Sequence, residues 1–414
     1  GKYYRFAVTV KTSAGTTTSS YRSFNLKPVP PTVQIDPPLN GLHNNPNQKI
    51  DWTQTSSDTL TPTCTLDDQT VECSGTSYTS SGLSDGEHTF TIRVTDSFDQ
   101  YAEDSATWTI DATSPTVSSF TTNESSPSNT TSLSYTLTFS ENVSGLTAGD
   151  LSVGGTATGW SVDSVSGSGD TYTVTLSASS PTDGTVYPIL AKDSVADAAT
   201  NTGPASAANG TTITIDRTAP SVASFTTEET SPSNKTSLSY TLQFSESVSG
   251  LTSGDLSVGG TATGWSVDSV SGSGDTYTVT LSASSPTDGT VYPILGSNTV
   301  SDSATNTGPA SAANGTTIQI DRTAPSATLT APASPTNSST LSYTLTFSEP
   351  VTGLQSGDFS ISGSATGWSV DSITGSGSSY TVVLGGGGAG SVGLALNSNT
   401  CLLYTSPSPR DQRG

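Results

Sequence analysis

The sequence predicts an all-β chain built as a tandem array of sandwiches, on three observations. Residues 149–190 recur letter for letter at 254–295, a period of 105 residues. Apolar residues alternate with Ser and Thr, as in Leu133, Tyr135, Leu137 and Phe139, and again in Tyr172, Val174 and Leu176. That is the period of a half-buried strand, and no window carries the 3.6-residue spacing of a helix. A period of 105 is far longer than the ~20–50 residues of a solenoid unit. It matches an independent sandwich, the smallest unit that buries two sheet faces against each other.

Within the first full repeat, strands are expected near 116–120, 132–139, 149–153, 159–165, 171–177, 185–191 and 211–216. Thr and Ser fill the outward positions, and Thr suits a solvated strand face. Gly, Asp, Asn and Pro cluster between the runs, as turns require. Seven short strands in a unit of this size read as an immunoglobulin-like sandwich. Trp160, Trp265 and Trp368 are read as core or sheet-edge anchors, with sugar stacking as the alternative.

The repeat frame then sets the domain plan. Similar linkers recur as Asp111-Ala-Thr-Ser-Pro115, Asp216-Arg-Thr-Ala-Pro220 and Asp321-Arg-Thr-Ala-Pro325. A third, diverged copy carries Gly357-Asp358-Phe359 and Gly367-Trp368. Its segment from Gly390 to Thr400 parallels Gly289 to Thr299. The expected plan is a partial module over 1–28 and an Ig-like module over 29–111. Repeats follow over 112–216 and 217–321, with a truncated repeat over 322–400. Residues 401–414 break the pattern and are set aside as a non-native tail. The third repeat therefore lacks its final strand, and an open sheet edge is expected there. The opening Tyr3-Tyr4-Arg5-Phe6-Ala7-Val8 already alternates, so the chain is read as an internal piece of a longer protein.

Composition removes several classes of function. The net charge is −22, with 13 Lys and Arg against 35 Asp and Glu. Nothing in such a chain neutralises a phosphate backbone, so nucleic acid is not expected as a partner. No apolar run approaches the ~18 residues of a membrane span. The 31% apolar content is low, but its patterning argues against disorder. Two histidines, His43 and His88, lie in the non-repeated module, and each is read as a surface or turn residue. The glycine run Gly385 to Gly390 is followed by a strand pattern, not by the helix that would hold a pyrophosphate. No pair of carboxylates stands out for glycoside hydrolysis. No enzymatic activity is expected.

Three separated blocks recur in order and carry a family resemblance. They are Phe139-Ser-Glu-Asn-Val-Ser-Gly-Leu-Thr-Ala-Gly-Asp-Leu151, Val195-Ala-Asp-Ala-Ala-Thr-Asn201 and Ile215-Asp-Arg-Thr-Ala-Pro220. Over 112–400 they resemble the tandem bacterial Ig-like domains of large surface and adhesin-type proteins. Ala199-Thr200 stands where that family usually has Ala-Gly. Residues 29–111 resemble a related Ig-like module, through Leu83-Ser-Asp-Gly-Glu-His-Thr-Phe90 and Val94-Thr-Asp96. Residues 1–28 resemble the last two strands of a fibronectin type III domain. The resemblance implies an elongated extracellular array in a stalk or cell-adhesion role, without catalysis.

Two sets of candidate site residues follow. Cys64 and Cys73 flank the turn signal Asp67-Asp68, so a hairpin would bring them together as a disulfide; two free thiols are the alternative. Calcium is the ligand expected for the acidic loops, because hard cations take carboxylate and carbonyl oxygens. The groups are Asp197, Asn201 and Asp216 in one repeat, Asp302, Asn306 and Asp321 in the next, and Asp96, Asp99 and Asp111 in the Ig-like module. Glu141, Glu246 and Glu349 are further contributors. The alternative is ordinary turn and capping residues. The expected function is a non-catalytic, calcium-stiffened stalk that spaces a tip from a cell surface. Its rivals are a module binding cell-surface glycans or proteins, marked by exposed aromatics around Trp160 and Tyr172, and an accessory region of a secreted polysaccharide-active enzyme.

Overall fold

The computed structural model describes residues 3–18, 22–25, 28–398 and 402–403. They fall into two compact units, one of residues 1–126 with 130–216, the other of 127–129 with 217–414. The described residues are strands and loops, apart from the single 3-10 turns Ala148–Asp150, Ser253–Asp255 and Ser356–Asp358. The all-β reading therefore holds.

In the first unit, the initial residues form two antiparallel pairs. Tyr3–Phe6 pairs with Arg22–Asn25, and Thr9–Thr12 pairs with Gly15–Thr18. Four short strands stand where two were expected, because the chain turns back tightly between Thr12 and Gly15.

The following module packs two sheets. One is ordered Ser77–Thr79, Lys49–Thr55, Thr32–Ile35; the other Leu42–His43, Tyr101–Ile110, Gly86–Thr95, Thr61–Leu66, Gln69–Val71. Strand alternation puts His88, Phe90, Ile92 and Val94 on the buried face of Gly86–Thr95. They meet Trp52 and Trp108 in one core. Leu66 and Gln69 are joined by Asp67 and Asp68, both at positive φ (49° and 63°). Two left-handed residues in a two-residue loop make a hairpin turn whose twist matches the strands. Across this hairpin Cys64 and Cys73 form a disulfide with Cα atoms 6.1 Å apart.

Residues 117–126 and 130–215 form a second sandwich in the first unit. One sheet is ordered Val117–Thr121, Ser132–Val143, Trp160–Ala178. In the other, Gly184–Leu190 pairs with Leu151–Gly155 on one side and with Ala208–Asn209 and Ile213–Ile215 on the other. Leu133, Tyr135, Leu137, Val174, Leu176, Val186 and Leu190 are fully buried between them. The two strands expected near 159–165 and 171–177 are arms of the single extended segment Trp160–Ala178. It doubles back on itself, since a Cβ on Gly167 would lie 2.8 Å from the Tyr172 Cα. Gly155 marks another close approach: at φ +116°, a Cβ there would sit 2.0 Å from the Thr185 carbonyl oxygen.

The second unit repeats this sandwich over 222–320, with the same sheet orders and registers. Its other sandwich covers 327–396 and is incomplete. One sheet runs Ala327–Thr330, Thr340–Phe347, Ser379–Gly385, Ser369–Ser376. Opposite it, Phe359–Ser362 pairs with Gly393–Leu396 alone. No described residue supplies the strand that Ile213–Ile215 and Ile318–Ile320 supply in the other two copies. Leu402–Leu403, in the segment set aside from the sequence, pairs with Val351–Thr352.

Candidate metal centre

The loop Asp197 to Asn201 is held by one short pairing, Val195–Ala196 with Thr202–Gly203. Five residues must close between those strands, and Asp197 closes them from inside. Its Oδ1 accepts the Asn201 backbone N–H at 2.9 Å, and its Oδ2 accepts the Asn201 side-chain amide at 2.8 Å. Asp197 is only 5% exposed. The turn needs a left-handed residue, and Thr200 occupies that position at φ 72°. This explains the glycine usual in the resembling family: a β-branched residue is strained at positive φ.

Asp111 comes to this loop from the preceding module. It follows the strand Tyr101–Ile110, and its carbonyl accepts the Asn201 amide at 2.7 Å. Glu141 reaches the same point from Ser132–Val143. The carboxylates of Asp111, Glu141 and Asp197 each offer an oxygen within 4.8 Å of the others. Burial pushes the Glu141 carboxyl up, and the neighbouring charges of Asp111, Asp197 and Asp85 push it further. Asp85, not singled out in the sequence, accepts the Ala112 N–H at 2.7 Å and the Thr113 hydroxyl. The Asp-Gly turn it opens was its only signal.

The second unit carries the same loop. Asp302 Oδ1 accepts the Asn306 N–H at 2.9 Å, Oδ2 accepts the Asn306 amide at 2.8 Å, and Thr305 is left-handed at φ 71°. Glu246 and Asp302 offer oxygens within 4.8 Å of one another. Asp216 is the last residue of the first unit. Farther along, Asp321 and Asp288 stand close to Glu349; burial first, then these two charges, pushes its carboxyl up.

The sequence groups are thus redrawn. Asp111 does not join Asp96 and Asp99, because the ten-residue strand Tyr101–Ile110 carries it about 30 Å away at ~3.3 Å per residue. It joins Glu141 and Asp197 of the next sandwich instead. Asp96 closes its own loop, with Oδ1 accepting from Phe98 and Gln100, while Asp99 takes the left-handed turn at φ 62°.

Two other readings are settled by position. Tyr172 is buried, and its hydroxyl donates to the Val143 carbonyl at 3.0 Å. Trp160 packs against the core beside it, so these rings make no open platform. His88 is not a surface residue. It is buried, with Nδ1 2.7 Å from Asp67 Oδ2 and Nε2 2.8 Å from the Ser84 carbonyl. Phe90 and its neighbours on the same strand face require the core, so period two carries His88 inside with them.

The donor set is all oxygen, carboxylate and carbonyl, which suits a hard divalent cation such as calcium. Among the described residues, no Lys or Arg pairs with Asp111, Glu141 or Asp197. No described helix is long and apolar enough to cross a membrane.

No family model matches the chain, and no curated protein matches it. Solved structures of tandem β-sandwich proteins do. A three-Ig fragment of titin, domains I67–I69, is 10% identical with a TM-score of 0.30, over 70% of this chain and 98% of that one. Fibronectin(III)-like modules of Clostridium thermocellum CbhA are 17% identical with a TM-score of 0.20, over 44% and 91%. Extracellular cadherin domains 1–5 of protocadherin gamma B2 are 15% identical with a TM-score of 0.32, over 77% and 73%. The paired antiparallel sheets described above identify the modules themselves as tandem Ig-like sandwiches.

Proposed function

We propose that the chain is an extracellular structural stalk whose joints are stiffened by calcium, and that it spaces a functional tip from a cell surface. One observation carries this reading: Asp111 at the end of one sandwich converges with Glu141 and Asp197 of the next. Three carboxylates without a cationic partner repel one another, and a divalent cation turns that repulsion into a link. Asp111, Glu141 and Asp197 would hold the ion in the first unit, with Glu246 and Asp302 contributing in the second. Asp96, whose Oδ1 accepts the Gln100 N–H while its buried Oδ2 lacks a protein partner, belongs to the same class of loop. The bound ion supplies charge neutralisation and cross-linking. The residues supply the register: Asn201 fixes the Asp197 carboxylate and the Asp111 backbone against each other.

A tip that engages cell-surface glycans or proteins would lie outside these modules, since Trp160 and Tyr172 pack inward. The disulfide between Cys64 and Cys73 supports an oxidising, extracellular setting. Calcium titration followed by calorimetry, on the chain and on Asp197→Asn, tests the reading. Heat of binding that is lost in the variant supports it; the absence of binding refutes it.

A further inference from the structure

We propose that the outer face of the sheet built on Gly184–Leu190, and of its copy built on Gly289–Leu295, binds an extended, uncharged polysaccharide, with Tyr187 and Tyr292 as the stacking rings. The site goes beyond the stalk reading, needs no calcium, and is a property of the sheet itself, separate from any tip. Val186, Pro188 and Leu190 turn into the core. Strand alternation therefore turns Tyr187 and Ile189 outward. Both are half-buried, and neither joins the core cluster.

What half-buries them is their own sheet. Gly154 pairs directly with Tyr187. A Cβ on Gly154 would lie 2.6 Å from the Tyr187 Cε2 and 2.9 Å from the Ile189 Cδ1. The ring thus leans across onto bare glycine backbone, with one side held down and the other left to solvent. Gly259, Tyr292 and Ile294 repeat the arrangement at the same distances. In the third repeat the register partners are Ser362 and Gly393, and Ala395 stands in place of the isoleucine. The strands pair there without a ring, so strand pairing does not require the tyrosine.

The surroundings select the occupant. Ser152 and Asn209 flank Ile189, and Thr214 faces Thr185. Ser152, Asn209 and Thr214 are exposed. The four strands of this sheet contain no charged residue, and neither do those of its copy. The opposite sheet, by contrast, carries Glu141, Asp163 and Asp170. A ring beside hydroxyl and amide groups, with no charge among them, complements a pyranose: its C–H face covers the ring and its hydroxyls both donate and accept. An anionic polymer or a second copy would add negative charge to a chain already at −22. Two such faces, 105 residues apart in sequence, favour a polymer that engages both.

The probes are two neutral polymers, hydroxyethyl cellulose and arabinoxylan, with polygalacturonate as the anionic control. The whole chain is run in excess chelator through gels containing each. At least one neutral polymer should retard it, and polygalacturonate should not. Tyr187→Ala or Tyr292→Ala alone should weaken binding about tenfold, because the second contact is lost; both together should abolish it. Tyr187→Phe with Tyr292→Phe keeps the rings and should keep most of the retardation. Hydroxyl-radical footprinting of the unsubstituted chain, which depends on no variant, should show the polymer shielding Tyr187 and Tyr292 but not the exposed Tyr101. No retardation by either neutral polymer, retardation unchanged in the double alanine variant, or shielding of Tyr101 in their place would overturn the proposal. Shielding of Tyr187 and Tyr292 that rises with protein concentration and needs no polymer would also overturn it, by assigning the face to a second copy.

Discussion

Asn201 spans two sandwiches with one amide group: its Nδ2 donates to the Asp111 carbonyl at 2.7 Å and to Asp197 Oδ2 at 2.8 Å. Both amide hydrogens are used, so the joint and the acidic loop are fixed by the same side chain. Removing it leaves a part-buried carbonyl and a buried carboxylate each short of a donor. Such losses cost about 1–3 kcal/mol. Asn201→Ala should therefore speed hydrogen exchange at 195–203 by a factor corresponding to that range, with 213–215 little changed. Equal exchange in both segments would show that Asn201 does not hold the loop.

Thr200 is strained at φ 72°, and its exposed side chain accepts a hydrogen bond from Asn44 at 3.1 Å. Glycine adopts this conformation freely but loses more chain entropy on folding. The strain outweighs that loss for a β-branched residue, so Thr200→Gly is expected to stabilise the sandwich by about 1 kcal/mol. A higher melting temperature by calorimetry checks this, and Thr305→Gly should behave alike.

Two buried tyrosines in one core should respond oppositely to losing their hydroxyls. Tyr135 Oη has no protein partner, and burial pushes its pKa up to about 12. Tyr172 Oη donates to the Val143 carbonyl at 3.0 Å. Tyr135→Phe is expected to be neutral or stabilising, and Tyr172→Phe to cost about 1 kcal/mol. Denaturant unfolding of the two variants distinguishes them.

His88 and Asp67 make a pH-dependent pair. Burial pulls the His88 pKa down, but hydrogen bonds to the Ser84 carbonyl and to Asp67, with the charge of Asp67, raise it overall. Both ring nitrogens face acceptors, a demand only the doubly protonated ring meets. Burial likewise raises the Asp67 carboxyl, and His88 and the Thr89 N–H more than offset it, leaving it lowered. A raised histidine stabilises fully below its unfolded pKa and loses that contribution as pH climbs through the folded value. A lowered carboxyl does the reverse on the acid side. The pair should stabilise its module most between about pH 4 and pH 6.5, and His88→Gln should flatten the alkaline fall-off. An unchanged fall-off in the variant would rule the pair out as its cause.

The strands were legible where side chains alternate strictly, as at Leu133, Tyr135, Leu137 and Phe139, because burial on one face writes itself every second residue. The doubling back of Trp160–Ala178 was legible only as two strands, since its turn uses Gly169 and Asp170 amid other glycines. The acidic groups were harder. Asp111, Glu141 and Asp197 are far apart in sequence and meet because two sandwiches abut, which no local spacing records. His88 was misplaced because its turn neighbours Asp85, Gly86 and Glu87 outweighed its own register with Phe90.

The most direct test of the calcium-stiffened joint is the melting temperature of the whole chain in millimolar calcium against excess chelator, repeated for Asp197→Asn with Asp302→Asn. The account predicts a clear rise with calcium that the double variant loses, while magnesium at the same concentration does less. A melting temperature indifferent to calcium in the unsubstituted chain would contradict it.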